Sequence, residues 1–248
     1  MKLDRSGRSG GRFVAGAWRA ARGELGAVGA VLVIAGGGLG FLGVADEVTD
    51  GHTRVFDTGL ILMLRHPGDI TRPIGPAWLK LAAMDLTSLG AIAVLALIVL
   101  VVAGFFLAER RWRESLLLIA AAGSGLMLVN ILKQVFGRER PPVAMHVMVV
   151  DNASFPSGHA MLSAIVYLSM ATLVAHFSRS RSVGVYAICA GILVTLIVGA
   201  SRVFLGVHWP TDVIAGWALG SAWAMLWWLI ALWVERRRTP LDSGAREW

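Results

Sequence analysis

Six stretches of this sequence, 25–45, 86–108, 115–132, 160–178, 182–201 and 213–234, contain no Asp, Glu, Lys or Arg. A hydrocarbon core of about 30 Å takes roughly 20 apolar helical residues to cross, and each stretch is close to that length. Backbone facing lipid must satisfy its own hydrogen bonds, which leaves helices as the way to use such runs. The predicted fold is therefore all-α: a polytopic integral membrane protein with six transmembrane helices. Hydrophobic residues make up 56% of the chain, which also carries ten tryptophans, a balance far from that of a soluble domain. The run at 25–45 is too long and glycine-rich, with no small-residue cleavage site before a soluble domain, to be only a signal sequence.

An even number of spans puts both ends on one side, and basic residues choose the side. One face collects the arginines and lysine of residues 1–24, Arg110, Arg111, Arg113, Arg179, Arg181 and the tail from Arg236, fifteen in all. The other has eight: Arg54, Arg65, Arg72, Lys80, Lys133, Arg138, Arg140 and Arg202. The positive-inside rule makes the first face cytoplasmic. Domain organisation follows: a basic cytoplasmic tail at 1–24 ending in an interfacial helix, a six-span unit at 25–234, and a second basic cytoplasmic tail at 235–248. The net charge of +7 resides in short clusters between apolar runs, without the aromatic interleaving of a nucleic-acid surface, so no nucleic-acid partner is expected. Cys189 is the only cysteine, which leaves no disulfide framework and no cysteine metal site. No pattern specifies an oligomeric state.

Residues 46–85 differ in composition. Charged residues from Asp46 to Lys80 are mixed with apolar pairs at Val55/Phe56, Gly59/Leu60 and Met63/Leu64, a four-residue spacing that marks an amphipathic helix. Pro67, Pro73 and Pro76 interrupt it, and Trp78 is an interfacial anchor. One or two short helices lying in the membrane interface are predicted between the first and second spans.

Polar chemistry reappears abruptly at Ser201-Arg202-Val203-Phe204-Leu205-Gly206-Val207-His208-Trp209-Pro210-Thr211-Asp212. Pro210 suits the first position of a helix, which places Asp212 in the first turn and His208 just before it. Asp212 can then accept the Nδ1 proton of His208 and leave Nε2 basic and exposed, as a histidine nucleophile requires. By itself the pattern also fits an aspartate complementing a helix dipole beside a chance histidine.

Two further stretches share that membrane face. In Lys133-Gln134-Val135-Phe136-Gly137-Arg138-Glu139-Arg140-Pro141-Pro142, Lys133 and Arg140 are seven apart, two turns of a helix that Pro141 ends. Alone they are ordinary headgroup anchors. In Phe155-Pro156-Ser157-Gly158-His159, Ser157 is a natural N-cap. Gly158 also lets a ligand approach the backbone, and the free N–H groups of a helix start bind anions. Together the face offers Lys133, Arg140 and Arg202 as cations, amides near Ser157 and Gly158, and two histidines. Such a set suits phosphoryl transfer. His208 attacks in line, and His159 protonates the departing oxygen and then activates the water that hydrolyses the phosphohistidine. Glu139, Asp151 and Asp212 do not form a two-metal cluster, so neither a metal nor another cofactor is expected.

These motifs, Lys-x6-Arg-Pro at Lys133 to Pro141, Pro-Ser-Gly-His at Pro156 to His159 and Ser-Arg-x5-His-x3-Asp at Ser201 to Asp212, resemble the three-part signature of the type 2 phosphatidic acid phosphatases, or lipid phosphate phosphatases. That superfamily also contains vanadium-dependent haloperoxidases and glucose-6-phosphatase. The resemblance implies His208 as nucleophile, Asp212 as its orienting partner, His159 as acid, and Lys133, Arg140, Arg202, Ser157 and Gly158 as the phosphate-binding set, with Ser201 in support. It also implies a lipid phosphate as substrate: phosphatidic acid, phosphatidylglycerol phosphate, undecaprenyl pyrophosphate or a lipid A phosphate. A polyprenyl diphosphate comes first by analogy with carrier recycling on the outer face of a bacterial inner membrane, where the site is expected. Transport is disfavoured because the charges avoid the span interiors. A non-enzymatic lipid-phosphate binder has no need of the His208–Asp212 pair, and haloperoxidase chemistry belongs to soluble relatives.

Overall fold

The structure, a computed structural model, describes residues 7–148, 150, 152–178 and 180–236, with side chains from residue 26 to residue 235 among them. The arginines of both expected basic tails fall on residues 1–6, the side chains of 7–25 and residues 236–248, outside the described side chains. The elements are helices α1 (Gly7–Thr49), α2 (Arg54–Met63), α3 (Ala77–Ser88), α4 (Ile92–Ala108), α5 (Trp112–Phe136), α6 (Gly158–Phe177), α7 (Arg181–Phe204) and α8 (Pro210–Arg236), with a hairpin of β1 (Arg65–His66) and β2 (Asp69–Pro73). Five helices are long and apolar enough to cross a membrane, or six spans if the bent pair α3–α4 counts as one. Leu32, Leu39, Leu97, Leu100, Leu193 and other large apolar side chains stand exposed along them, which is the surface expected of a protein in lipid.

Three expectations need correction. The stretch 86–108 is not one helix: α3 and α4 meet at a 49° bend. Ser88-Leu89-Gly90-Ala91 interrupts the helix, Tyr167 Oη donates to the freed Leu89 carbonyl at 2.8 Å, and a side chain at Gly90 would collide with Val198 and crowd His159. Within 46–85, the Pro67-Gly68 turn folds Arg65–Pro73 into an antiparallel hairpin, so the all-α class acquires a small β element beside the short helices α2 and α3. Finally, no break separates the first tail from the first span, because α1 runs unbroken through residues 24 and 25.

The central helix is α6, half of whose apolar window is buried, against 11% to 33% for the other four single-helix spans. Its Met161, Leu162, Ile165 and Val166 meet Leu95 and Val99 of α4 and Leu118, Ala121 and Val129 of α5. On another side α6 and α8 touch backbone to backbone. Gly216 and Gly220 on α8 face Ser157 and Met161, where an added Cβ would lie 2.9 Å from the Ser157 carbonyl oxygen and 2.5 Å from that of Met161. This small-x3-small spacing is the packing that membrane helices use to approach closely. It brings the start of α6 against the start of α8, and the Ser157 N–H donates to the Asp212 carbonyl at 3.0 Å.

Replacing Gly220 with valine should therefore lower stability by about 1–3 kcal/mol through overpacking. Thermal unfolding in detergent would read this as a depressed Tm. Gly104→Ala, inside α4 and with nothing within 4 Å of the added carbon, should not lower Tm.

Candidate active site

The loop from Leu205 to Trp209 carries the candidate nucleophile and is fixed from several directions. Leu205 and Val207 are fully buried, packed with Ala83 of α3. The Val147 N–H donates to the Leu205 carbonyl at 3.1 Å, and the Val207 N–H to that of Arg202 at 3.2 Å. Arg65, at the start of the hairpin and 3% exposed, donates to the carbonyls of Leu64, Met145 and Phe204, each at 3.0 Å. The hairpin is thereby pinned over the end of α7. Gly206 makes the clamp possible: its φ is +71°, and a side chain there would strike the Met145 carbonyl and the Arg65 guanidinium.

His208 is 1% exposed and Asp212 is fully buried. Asp212 Oδ2 lies 3.3 Å from His208 Nδ1, accepts from the Trp209 N–H at 2.9 Å and accepts from the Ser154 hydroxyl. Arg140 Nη1 sits 3.2 Å from His208 Nε2. A guanidinium only donates, so this network assigns the proton to Nδ1 and leaves the Nε2 lone pair to accept from Arg140. Burial, aided by Arg140 and Arg202, outweighs the Asp212 carboxylate and lowers the His208 pKa below the ordinary histidine value. The ring stays neutral at physiological pH. Because an unfolded imidazole takes up its proton near pH 6.5 and the folded one only at lower pH, this residue makes the protein less stable as pH falls below that value.

Around the imidazole stand the three expected cations. Arg140 Nε donates to the Asn152 carbonyl at 2.7 Å, Nη2 to Asn152 Oδ1 at 2.5 Å, and Nη1 to the Val207 carbonyl. Lys133 Nζ donates to the Ala153 carbonyl and approaches Asn152 Oδ1 at 3.4 Å. Arg202, 2% exposed, donates to Thr87 Oγ1 at 3.1 Å and contacts Met148 Sδ at 3.4 Å. Its buried Nε has no acceptor among the described residues, a donor that an anion's oxygen would satisfy. Arg140 does not sit on the helix with Lys133, as the spacing implied. Gly137 adopts a left-handed conformation, φ +56°, and caps α5, so the chain leaves the helix before Pro141 and delivers Arg140 from a loop.

Ser157 is the N-cap of α6, its hydroxyl accepting from the Ala160 N–H at 3.5 Å. The N–H groups of Gly158 and His159 precede the first intrahelical donor and point out of the helix start. A side chain at Gly158 would meet Lys133 and Val129 only at ordinary contact distance, so protein packing does not demand glycine there. His159 lies within the field of Arg202, Arg140 and Lys133. The expected set converges at one end of the bundle, with one member turned aside: the Ser201 hydroxyl donates at 2.7 Å to the Val198 carbonyl of its own helix. Among the described residues, no three His, Cys, Asp or Glu side chains form a group able to hold a metal.

A family model for the PAP2 superfamily matches residues 114–236. Phosphatidylglycerophosphatase B of Bacillus subtilis is 42% identical over 147 residues, which are 58% of this chain and 70% of that protein. The chain belongs to the PAP2 superfamily. An undecaprenyl-diphosphatase of Sulfolobus acidocaldarius is 32% identical over 118 residues, 46% of this chain and about half, 53%, of that protein. The crystal structure of a transmembrane PAP2-type phosphatidylglycerolphosphate phosphatase from Bacillus subtilis superposes with a TM-score of 0.74 at 28% identity, covering 84% of this chain and all of that one. This PAP2 protein is an integral membrane phosphatase of the lipid phosphate class.

The PAP2 signature leaves out several residues that the structure adds to the site. Arg138, grouped with the flanking charges in the sequence, binds Asp212 Oδ1 at 2.5 Å and Asp57 Oδ2 at 2.7 Å. Asp57, Ser154 and Asn152 come from segments with no motif. The one available sign was Asp57 itself, a carboxylate between the apolar pairs of an amphipathic helix.

Histidine NMR on nitrogen-labelled protein tests the assigned state of His208. Its ring should keep the neutral, Nδ1-protonated signature from pH 8 to pH 6, and a titration midpoint near 6.5 would contradict the burial argument.

Proposed function

We propose that this chain removes phosphate from a membrane lipid through a phosphohistidine at His208, at a site on the outer face of a bacterial inner membrane. Six spans are counted by taking α3–α4 as one broken span, which leaves both termini cytoplasmic, in keeping with the distribution of basic residues. The observation that carries the proposal is the placement of a buried His208 with Nδ1 3.3 Å from Asp212 Oδ2 and Nε2 3.2 Å from Arg140 Nη1.

In the first step the Nε2 lone pair attacks phosphorus in line, the N–P bond forms, and the P–O bond to the lipid breaks. His159, protonated, gives its proton to the departing oxygen. Asp212 stabilises the positive charge that develops on the His208 ring. Lys133, Arg140 and Arg202, with the N–H groups of Gly158 and His159, hold the phosphate oxygens in which negative charge accumulates. The phosphate exchanges with the Asn152 and Ala153 oxygens that Lys133 and Arg140 now hold, and supplies an acceptor to Arg202 Nε. Water then attacks the phosphohistidine, returns a proton to His159 and releases inorganic phosphate. No metal enters the scheme.

Similarity over 70% of a phosphatidylglycerophosphatase B now favours a glycerophospholipid phosphomonoester, phosphatidylglycerol phosphate first. A polyprenyl diphosphate follows, on the shorter similarity to an undecaprenyl-diphosphatase.

Phosphate release from a panel of lipid phosphates and diphosphates in mixed micelles ranks these substrates. His208→Ala should lose about 10³-fold or more on every one of them, and persistent turnover would remove the nucleophile. EDTA should leave the wild-type rate unchanged, whereas inhibition reversed by added divalent cation would require a metal in the mechanism.

A further inference from the structure

Asp57 belongs to α2, an interfacial helix that no step of the reaction uses, yet its carboxylate is fully buried. Such a charge is tolerated only when paired and hydrogen-bonded, and both conditions are met from far along the chain. Oδ1 accepts from the Thr211 N–H at 3.0 Å, and Oδ2 from the Thr211 hydroxyl at 2.7 Å, across 154 residues of sequence. Thr211 is the second residue of α8, where an N–H has no partner in its own helix. Asp57 thus caps α8 from another helix.

Arg138 completes the connection. Nη1 donates to Asp212 Oδ1 at 2.5 Å and to Thr211 Oγ1 at 2.8 Å, and Nη2 to Asp57 Oδ2 at 2.7 Å and Thr53 Oγ1 at 2.9 Å. Those four bonds use every proton on the two terminal nitrogens, so this guanidinium has no free fork to offer a phosphate. Its bond also takes Oδ1 of Asp212, leaving Oδ2 for His208.

We propose that Asp57 and Arg138 act as a positioning pair, which fixes the Asp212 carboxylate and so ties the nucleophile to the interfacial helix α2. The pair rests on the phosphohistidine scheme. Arg138 stops Asp212 from rotating about its carboxylate axis. Alone, however, its positive charge would draw Asp212 away from His208, and Asp57 balances it. Removing Asp57 leaves the arginine uncompensated, while removing Arg138 leaves two carboxylates facing one another across Thr211.

The test is steady-state phosphate release from dioctanoyl phosphatidic acid in mixed micelles by Asp57→Asn, Arg138→Gln, the double variant and His208→Ala. Each single change should lower kcat by about 10- to 100-fold, as loss of an outer partner of a site residue does, with KM within about threefold of wild type. Acting as one unit, the pair should be non-additive: the double variant should be no slower than Arg138→Gln, far above the product of the two losses. Single variants with kcat within twofold of wild type would overturn the proposal, as would multiplying losses. A rise in KM at unchanged kcat would make Arg138 a substrate ligand and overturn it too. Should size-exclusion show either variant misfolded, Arg138→Lys and Asp57→Glu replace them. The lysine keeps the charge but cannot bridge two carboxylates in one plane, so it should lose kcat, and an unchanged kcat would overturn the pair. Turnover surviving in His208→Ala removes the phosphohistidine scheme itself, whereas an inactive His208→Ala beside unaffected pair variants removes only the pair.

Discussion

Everything at the polar end of this bundle depends on burying the charge of Asp212. A carboxylate taken out of water costs several kcal/mol unless its lone pairs are filled, and here they are filled by the Trp209 N–H, the Ser154 hydroxyl, the Arg138 guanidinium and the His208 ring. These donors arrive on three segments. Satisfying one side chain therefore docks the loop after α5, the stretch before α6 and the start of α8 onto one point. The fold and the site are assembled by the same bonds.

Charge is unevenly shared around the site. Among the described residues that bond or face one another there, Lys133, Arg138, Arg140 and Arg202 are positive, and Asp57 and Asp212 are negative. The surplus is positive and favours an anion. Arg138 is committed to the carboxylates, so the surplus rests on Lys133, Arg140 and Arg202. Two of these hold neutral carbonyl oxygens that an anion can replace, and the third keeps a buried N–H without an acceptor among the described residues.

The long helices and the convergence of His159, His208, Asp212 and the three cations were legible in the sequence. Apolar run length is a strong signal, and the motif spacings put every polar stretch on one face. Where the chain departed from expectation, local chemistry overrode the pattern. Gly90 broke a run that hydrophobicity alone made continuous, and Gly137 ended α5 before Pro141 could. Arg138 and Asp57 were illegible for a different reason. Their partners lie 74 and 154 residues away, and nothing in a charged residue's neighbours along the chain reveals that it will be buried. Arg65 is the same case, a basic residue that holds three backbone carbonyls.

The contact between Gly216, Gly220 and the α6 backbone sets a limit on motion. Where two helices are separated by side chains, a rotamer change can open a gap; where main chains touch, the seam opens only if the helices part. The wall formed by α6 and α8 is in that sense a closed door. Anything that reaches the imidazole therefore passes elsewhere than between α6 and α8.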